Sequence, residues 1–182
     1  MIESAFRANK NDDSTQTISA NTSETITFET ELFDLGNEYN NVDSFIPNQD
    51  GIYSIATNVL FLPDIQATYT AQLGIEVNGI TIAVDIKTTP DDPFPLTLPT
   101  TFELSTIYGL HATDVVTVSF FSLVSGTIFQ SSGVQINHFT AARFPFTSPV
   151  PFAFTQSSPI LSRIVQNTAN TTSSILPKKT PL

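Results

Sequence analysis

The feature that most constrains the fold is a strict apolar–polar alternation on both sides of the dipeptide Asn78-Gly79. Every second residue is apolar from Tyr69 to Val77, and again from Ile80 to Ile86. Period-two alternation indicates a β-strand with one buried face. Asn-Gly favours a two-residue turn because both residues tolerate positive φ. Such a turn would pair Val77 with Ile80 and place both apolar rows on the same side of a sheet. The sequence therefore predicts a β-hairpin that packs on one face.

Further segments indicate more strands of the same kind. Period-two or β-rich patterns occupy residues 24–30, 51–62, 114–123, 127–130 and 134–144. Turn-forming clusters of Asn, Asp, Gly, Pro and Ser separate several of them, at 48–51, 89–93 and 131–133. No amphipathic helical stretch of useful length precedes residue 150. Many short strands with turns at such intervals predict an all-β sandwich.

The charge distribution divides the chain near residue 144. Residues 1–144 contain all seventeen acidic residues and four basic ones, which gives a formal charge of −13. Residues 145–182 contain three basic residues, no acidic residue and six of the twelve prolines, which gives +3. A composition shift of this kind marks a boundary. We therefore predict one domain over 1–144 and a Pro- and Phe-containing C-terminal arm over 145–182, whose opposite charge would favour docking onto the domain.

Composition excludes several classes of protein. The net charge of −10 argues against nucleic acids and anionic membrane surfaces, because their phosphates would repel the chain. The absence of cysteine excludes disulfides, thiol catalysis and cysteine-type zinc sites. No apolar run reaches the ~18 residues of a membrane helix, and the polar first thirteen residues carry no signal-peptide pattern. Membrane insertion is not expected, and any export would follow another route.

Few residues are suited to catalysis. The two histidines are His111 and His138, and His111 lies three residues before Asp114 in a predicted loop, where a solvated turn is the simpler interpretation. The sequence contains no nucleophile elbow, no His-Glu-x-x-His motif and no phosphate-binding loop. We therefore expect a protein that is not an enzyme.

Two acidic pairs are the candidate ligand or metal loops. Asp12-Asp13 and Asp91-Asp92 both lie in turn-rich segments. Carboxylate oxygens are the ligands that calcium prefers, so calcium is the cation considered for these loops, and no other cofactor is expected. Neither pair matches a known calcium-loop pattern, and a solvated turn is the simpler interpretation of each.

Six segments resemble, in order, the motifs of one known family. The most specific is 45–53, in which Phe45 and Pro47 precede Gly51-Ile52-Tyr53 at the start of a predicted strand. The others share the positions of aromatic, Asn-Gly and Asp residues, and lie at 4–8, 33–39, 75–79, 110–116 and 137–144. Together they are similar to the jelly-roll domain of complement C1q and tumour necrosis factor, in its divergent bacterial form. The chain differs at Thr113 and at Ala141 or Ala142, where the family has glycine.

The resemblance implies a jelly roll of about ten antiparallel strands and a homotrimer with aromatic residues at its axis. The candidates for the axis or the core are Phe6, Tyr53, Phe120 and Phe139. The family-motif turn residues are Gly51, Asn78 and Gly79, and we expect Gly51 to supply a backbone conformation that other residues resist. Family members that bind calcium do so near the apex of the trimer.

Three functions follow as alternatives. The first, implied by bacterial relatives of the fold, is a trimeric, non-enzymatic surface or assembly protein of a spore coat or extracellular matrix, with a protein or surface glycan as ligand. The second is a viral or phage structural or receptor-binding protein. The third is a lectin-like carbohydrate-binding module, which four tyrosines and no tryptophan support poorly.

Overall fold

The computed structural model describes residues 3–90, 98–130 and 135–145, and the description that follows is confined to them. Within those ranges the chain is all-β, and no helix is long and apolar enough to cross a membrane. The strands are β1 (Ala5–Asn9), β2 (Thr15–Ile18), β3 (Ser23–Thr25), β4 (Thr30–Asp34), β5 (Ser44–Phe45), β6 (Gly51–Pro63), β7 (Tyr69–Val77), β8 (Ile80–Thr89), β9 (Thr100–Leu110), β10 (Val116–Ser122), β11 (Gly126–Phe129) and β12 (His138–Arg143). The predicted arm lies outside the described residues, apart from Pro145.

The strands form two antiparallel sheets. The larger has seven strands: β6 pairs with β9 on one edge, and with β12 and β11 along successive halves of the other. Beyond β12 the sheet continues through β1 to β4, and beyond β11 it continues to β2. The smaller sheet has five strands in the order β3-β10-β7-β8, with β5 also paired to β10. The inner faces of the two sheets enclose a single apolar core.

The core is built on aromatic side chains from both sheets. Near one end the ring of Phe6 stacks on Tyr39 and Phe45 at 4.8 Å and meets the edge of Phe139 at 4.9 Å. Near the other end Phe120 contacts Phe61 and Phe102, each at 5.0 Å between ring centroids. Aromatic pairs in these stacked and edge-to-face arrangements add stability beyond the area they bury.

The predicted hairpin is present, but one expectation about it is wrong. Val77 pairs with Ile80 as expected, and then a β-bulge at Ile75/Glu76 shifts the register by one residue. Beyond the bulge Val84 and Ile86 pair with Gly74 and Gln72, on the outer face. Their side chains are therefore 45% and 59% exposed instead of buried. A bulge reverses the side-chain alternation of everything that follows it.

The bulge also turns two charged side chains of β8 towards β9. The Lys87 Nζ donates to the Thr101 carbonyl at 2.6 Å and lies 3.4 Å from an Asp85 carboxylate oxygen. The Glu103 amide donates to the same carboxylate at 3.3 Å. These contacts join the edge of one sheet to the edge of the other, where no backbone ladder connects them.

Several strand boundaries differ from the sequence prediction. The predicted strand 24–30 is divided between β3 and β4, although Ile26 and Phe28 in the connection are fully buried. Strand β9 was not predicted, because Thr106 interrupts its inner row and Ile107 places a large apolar residue in its outer row. The short strands β2 and β5 were not predicted either, since Thr and Ser dominate them.

Candidate functional site

A row of four polar residues crosses the outer face of the seven-stranded sheet. Asn9 of β1 pairs with His138 of β12, His138 pairs with Asn58 of β6, and Asn58 pairs with Glu103 of β9. Directly paired residues on neighbouring strands share one face of a sheet. We call Asn9, His138, Asn58 and Glu103 the polar row.

A shallow depression of about 450 Å³ lies beside the polar row, between β6 and β9. Its walls include Ala56, Asn58, Glu103, Ser105 and His138. Ala56 and Ser105 pair with each other in the adjacent row on the same face. Because both are small, they leave space next to the larger side chains of the polar row.

Asn58 is held in one orientation but is only partly hydrogen-bonded. Its Nδ2 donates to Oε1 of Glu103 at 3.1 Å. Its Oδ1 is buried and has no hydrogen-bond partner. A buried acceptor left unpaired costs about 1–3 kcal/mol, so this oxygen lowers the stability of the fold.

The His138 side chain carries the other titratable group beside the depression, in addition to Glu103. Its Nδ1 lies 3.0 Å from the carbonyl oxygen of Ile136. Since a carbonyl only accepts, Nδ1 must carry the hydrogen, and in the neutral ring Nε2 keeps a lone pair. Burial, assisted by the nearby Arg7 guanidinium, lowers the pKa of His138 below its ordinary value, against the opposing influence of the Ile136 carbonyl and Glu103. The ring is therefore neutral at pH 7.

Asn9 is the most deeply buried member of the polar row. The residue is 1% exposed, and its Nδ2 has no hydrogen-bond partner. Its Oδ1 accepts a long hydrogen bond of 3.4 Å from Nε of Arg7. Two of the four residues in the row therefore carry an unpaired buried amide atom, which is unusual in a folded protein.

The four aromatic candidates for the axis or the core all lie between the sheets. Phe6, Tyr53, Phe120 and Phe139 are each 0% exposed within the single chain. The Tyr53 hydroxyl donates to the carbonyl of Gln49 at 2.8 Å, which ties the preceding loop to β6. Their burial places these four side chains in the core of the sandwich.

The acidic residues that the sequence suggested as ligand or metal loops do not form one described cluster. Asp12 and Asp13 are exposed in the turn between β1 and β2, where Asp13 has a φ of 59°. Asp91 and Asp92 lie outside the described residues. In the part of the chain that the structure describes, no group of three or more His, Cys, Asp or Glu residues could hold a metal ion. Calcium binding stays a prediction.

The turn residues lie at one end of the sandwich. Asn78 and Gly79 have φ values of 53° and 76°, as the two-residue hairpin turn requires. The side chain of Asn78 also joins the turn to the loop after β9, donating to Oδ1 of Asp114 at 2.8 Å and accepting from the Val115 amide at 2.9 Å. In that loop Thr113 has a φ of 76°, which strains a β-branched residue at a position where the resembled family has glycine.

Gly51 is required for a reason other than the one expected from the sequence. It opens β6 as a strand residue, and Gly79 is the glycine of the described chain with positive φ. A Cβ at Gly51 would lie 2.7 Å from the side chain of Arg143. Close packing against Arg143, and not backbone conformation, disfavours a larger residue here.

His111 and Asp114 form a turn and give no support to catalysis. Oδ2 of Asp114 accepts from the His111 backbone amide at 2.8 Å, and the His111 ring lies 3.8 Å from the same oxygen. The Asp114 carboxylate thus caps the turn.

Comparison with known proteins identifies the fold. No family model matches the chain, and no curated protein matches it by sequence. Among solved structures, the tumour necrosis factor Eiger from S. frugiperda matches with a TM-score of 0.57 and 11% identity, covering 84% of this chain and 98% of that one. Murine APRIL at pH 5.0 matches with a TM-score of 0.55 and 16% identity, covering 78% and 99% respectively. The predicted jelly roll of the C1q and tumour necrosis factor type is confirmed; its bacterial origin stays a prediction.

Proposed function

We propose that this chain is a non-enzymatic binding domain that works as a homotrimer at a cell, spore or matrix surface. The observation that carries the proposal is an exposed apolar residue at the end of a row of small residues on one sheet face. Ile107 of β9 is 65% exposed on the outer face of the seven-stranded sheet. In register with it lie Ser54, Ala142 and Ala5, all small. A row of small side chains that ends in a large apolar one allows another protein to pack closely against the sheet.

In a closed three-fold ring, this face of every subunit would be covered by a neighbouring subunit, so none of the three faces would stay exposed. A head-to-tail contact that closes into a ring uses the same two surfaces on every subunit. The fold type supports the same assembly, because we expect trimers from the resemblance.

The solution mass by light scattering after size exclusion tests the proposal. We expect a mass close to three times the 19.8 kDa of the chain. The variant Ile107→Lys should lower the mass towards that of the monomer, because a charge would be buried in the contact. The control is Ile86→Lys, which adds the same charge at a residue 59% exposed on the other sheet. A native monomer, or equal effects of the two variants, would refute the proposal. Repeating the measurement with a chelator tests whether calcium contributes.

A further inference from the structure

We propose that the outer face of the five-stranded sheet is a contact surface for a second copy of this chain, related to the first by a two-fold axis. The surface carries four apolar side chains: Val84 and Ile86 of β8, Phe121 of β10, and Leu123 just after β10. We call these four residues the apolar patch. The patch lies on the opposite side of the sandwich from Ile107, so it is separate from the contact proposed for the trimer.

The β8 half of the apolar patch exists because of the β-bulge at Ile75/Glu76. A bulge re-aims the side chains that follow it, and here it turns Val84 and Ile86 away from the core. The chain thereby exposes two β-branched apolar residues on an edge strand, where an unbroken alternation would have buried them. The exposed side chains follow from the backbone of the strand, and they give the outer face an apolar edge.

The other half of the patch lies two strands away on the same face. Gln72 of β7 pairs with Ile86 on one side and with Phe121, which is half-buried, on the other. Beyond Phe121 the chain continues to Leu123, whose amide donates to the Thr70 carbonyl at 3.0 Å and whose side chain is exposed. The face therefore has one apolar ridge on β8 and another along β10, with β7 between them.

The rows that carry the patch are uncharged. The row of Ile86 continues through Gln72, Phe121 and Ser23, and the row of Val84 continues through Gly74, Ser119 and Thr25. All of these residues are described by the structure, and none of them is ionisable. Glu76 lies one row further along β7, at the border of this region. Charged residues are depleted in the cores of protein–protein interfaces, so the composition of these rows is typical of such a core.

The charge of the whole domain indicates a second copy as the occupant. Residues 1–144 carry a formal charge of −13, so two copies repel each other in most orientations. At the uncharged rows they can approach without bringing carboxylates together. A cationic partner would instead be drawn to the acidic surface elsewhere. The shape agrees, because Gly74 leaves the row low beside Val84, and a ridge next to a low row can complement itself across a two-fold axis.

The contact is expected to be weak. Four strands about 4.8 Å apart and three rows about 7 Å apart cover roughly 400 Å² on each copy. A stable interface of standard size buries about 800 Å² on each partner. We therefore expect an association that depends on concentration. An isologous contact closes on itself, so a particle with a single patch should stop at two copies.

Sedimentation equilibrium of the full chain, from micromolar to millimolar concentration, tests the inference. We expect the weight-average mass to rise with concentration above its value at the dilute end. Val84→Lys should raise the dissociation constant of this association at least tenfold, because it places a charge in the contact. The matched control is Val42→Lys, at a valine of equal exposure, 45%, in the loop before β5, and it should change nothing. Ile86→Lys should act like Val84→Lys but keep the mass at the dilute end, where it serves as the control for Ile107→Lys.

Salt and the trimer variant make the test independent of the proposed function. Added salt should strengthen the association, because it screens the repulsion between two acidic chains. Ile107→Lys, expected to leave one chain per particle, should still associate and stop at two chains. A native chain that is a monomer when dilute would refute the trimer, yet a rise to two chains would support this contact. A constant native mass would exclude a second copy as the occupant. Dissociation by salt, or an equal loss in Val42→Lys, would likewise overturn the inference.

Discussion

The two faces of the seven-stranded sheet are made by the same strands, yet they differ in almost every physical respect. The inner face is rich in aromatic residues and largely buried, and its polar exceptions are few, such as Thr57. The outer face consists mainly of polar and small residues, and the side-chain amides of Asn9 and Asn58 on it each have one unpaired buried atom. The inner face is thus complete within one chain, whereas the outer face has hydrogen-bonding groups that the chain itself does not satisfy.

This difference separates stability from function along each strand. Consecutive residues of a strand point to opposite faces, so Phe139 stabilises the sandwich while its neighbour His138 belongs to the polar row. Substitutions one residue apart should therefore affect different properties. The predictions below use that contrast, beginning with the largest effect.

The largest expected loss follows from truncating the inner face at Phe139. Its ring contacts Phe6 at 4.9 Å and Phe28 at 5.8 Å and is 0% exposed. Phe139→Ala should lower the free energy of unfolding by about 3–5 kcal/mol, because it removes apolar contact and leaves a cavity. Urea denaturation measures this. The control, Ala142→Ser on the outer face, should change the free energy of unfolding by less than about 0.5 kcal/mol. Similar losses in the two variants would contradict the proposed difference between the inner and outer faces.

A second expected loss comes from adding a single methyl group to a glycine. A Cβ at Gly126 would overlap both the Leu62 carbonyl oxygen and the Phe61 ring, on the inner face. Gly126→Ala should therefore cost about 1–3 kcal/mol through overpacking. At Gly74 on the outer face of the smaller sheet, the nearest atom is the Ser119 hydroxyl oxygen at 2.8 Å, the end of a side chain that can rotate. Gly74→Ala should cost much less in the same denaturation experiment, and an equal cost would show that both faces are tightly packed.

The apolar faces that line the core could be predicted from the sequence where their signal is local. The alternation from Tyr69 to Val77 and the turn at Asn78-Gly79 are each readable within about ten residues. The ordered motifs around Phe45 and Tyr53 then predicted the jelly roll, which the comparison with solved structures confirms.

The outer face could not be predicted, because its signal depends on register between distant segments. Asn9, Asn58, Glu103 and His138 are ordinary polar residues in the sequence, and only the pairing of four strands brings them together. Strand β9, which carries Glu103, was itself not predicted. The sequence analysis instead selected the acidic pairs Asp12-Asp13 and Asp91-Asp92 as candidate sites. Two adjacent acidic residues do not indicate which strands pack next to them.

The β-bulge in β8 makes a sharper test of which side chains face inward. Ile82 packs partly against the core, whereas Ile86 is 59% exposed beyond the bulge. Ile82→Thr should cost about 1–2 kcal/mol through lost apolar burial, at roughly 0.8 kcal/mol for each buried methylene equivalent. The same change at Ile86 should leave the free energy of unfolding within about 0.5 kcal/mol of the native value. If both cost the same, the apolar row would continue on one face and the bulge would be absent.

The smallest expected effect is a change in the pH dependence of stability at His138. Its folded-state pKa lies below the ordinary 6.5, chiefly because of burial, so the unfolded chain binds this proton more readily. Its contribution to stability is therefore complete above pH 6.5 and declines as the pH falls from there to the folded-state pKa. The charged groups facing the ring are Arg7, which lowers that pKa, and Glu103, which raises it. Unfolding curves of the native chain and of His138→Gln, measured across pH 5–7, should differ in slope within this window. Parallel curves would mean that the ring is as open to water in the folded chain as in the unfolded one, and would contradict the burial of His138.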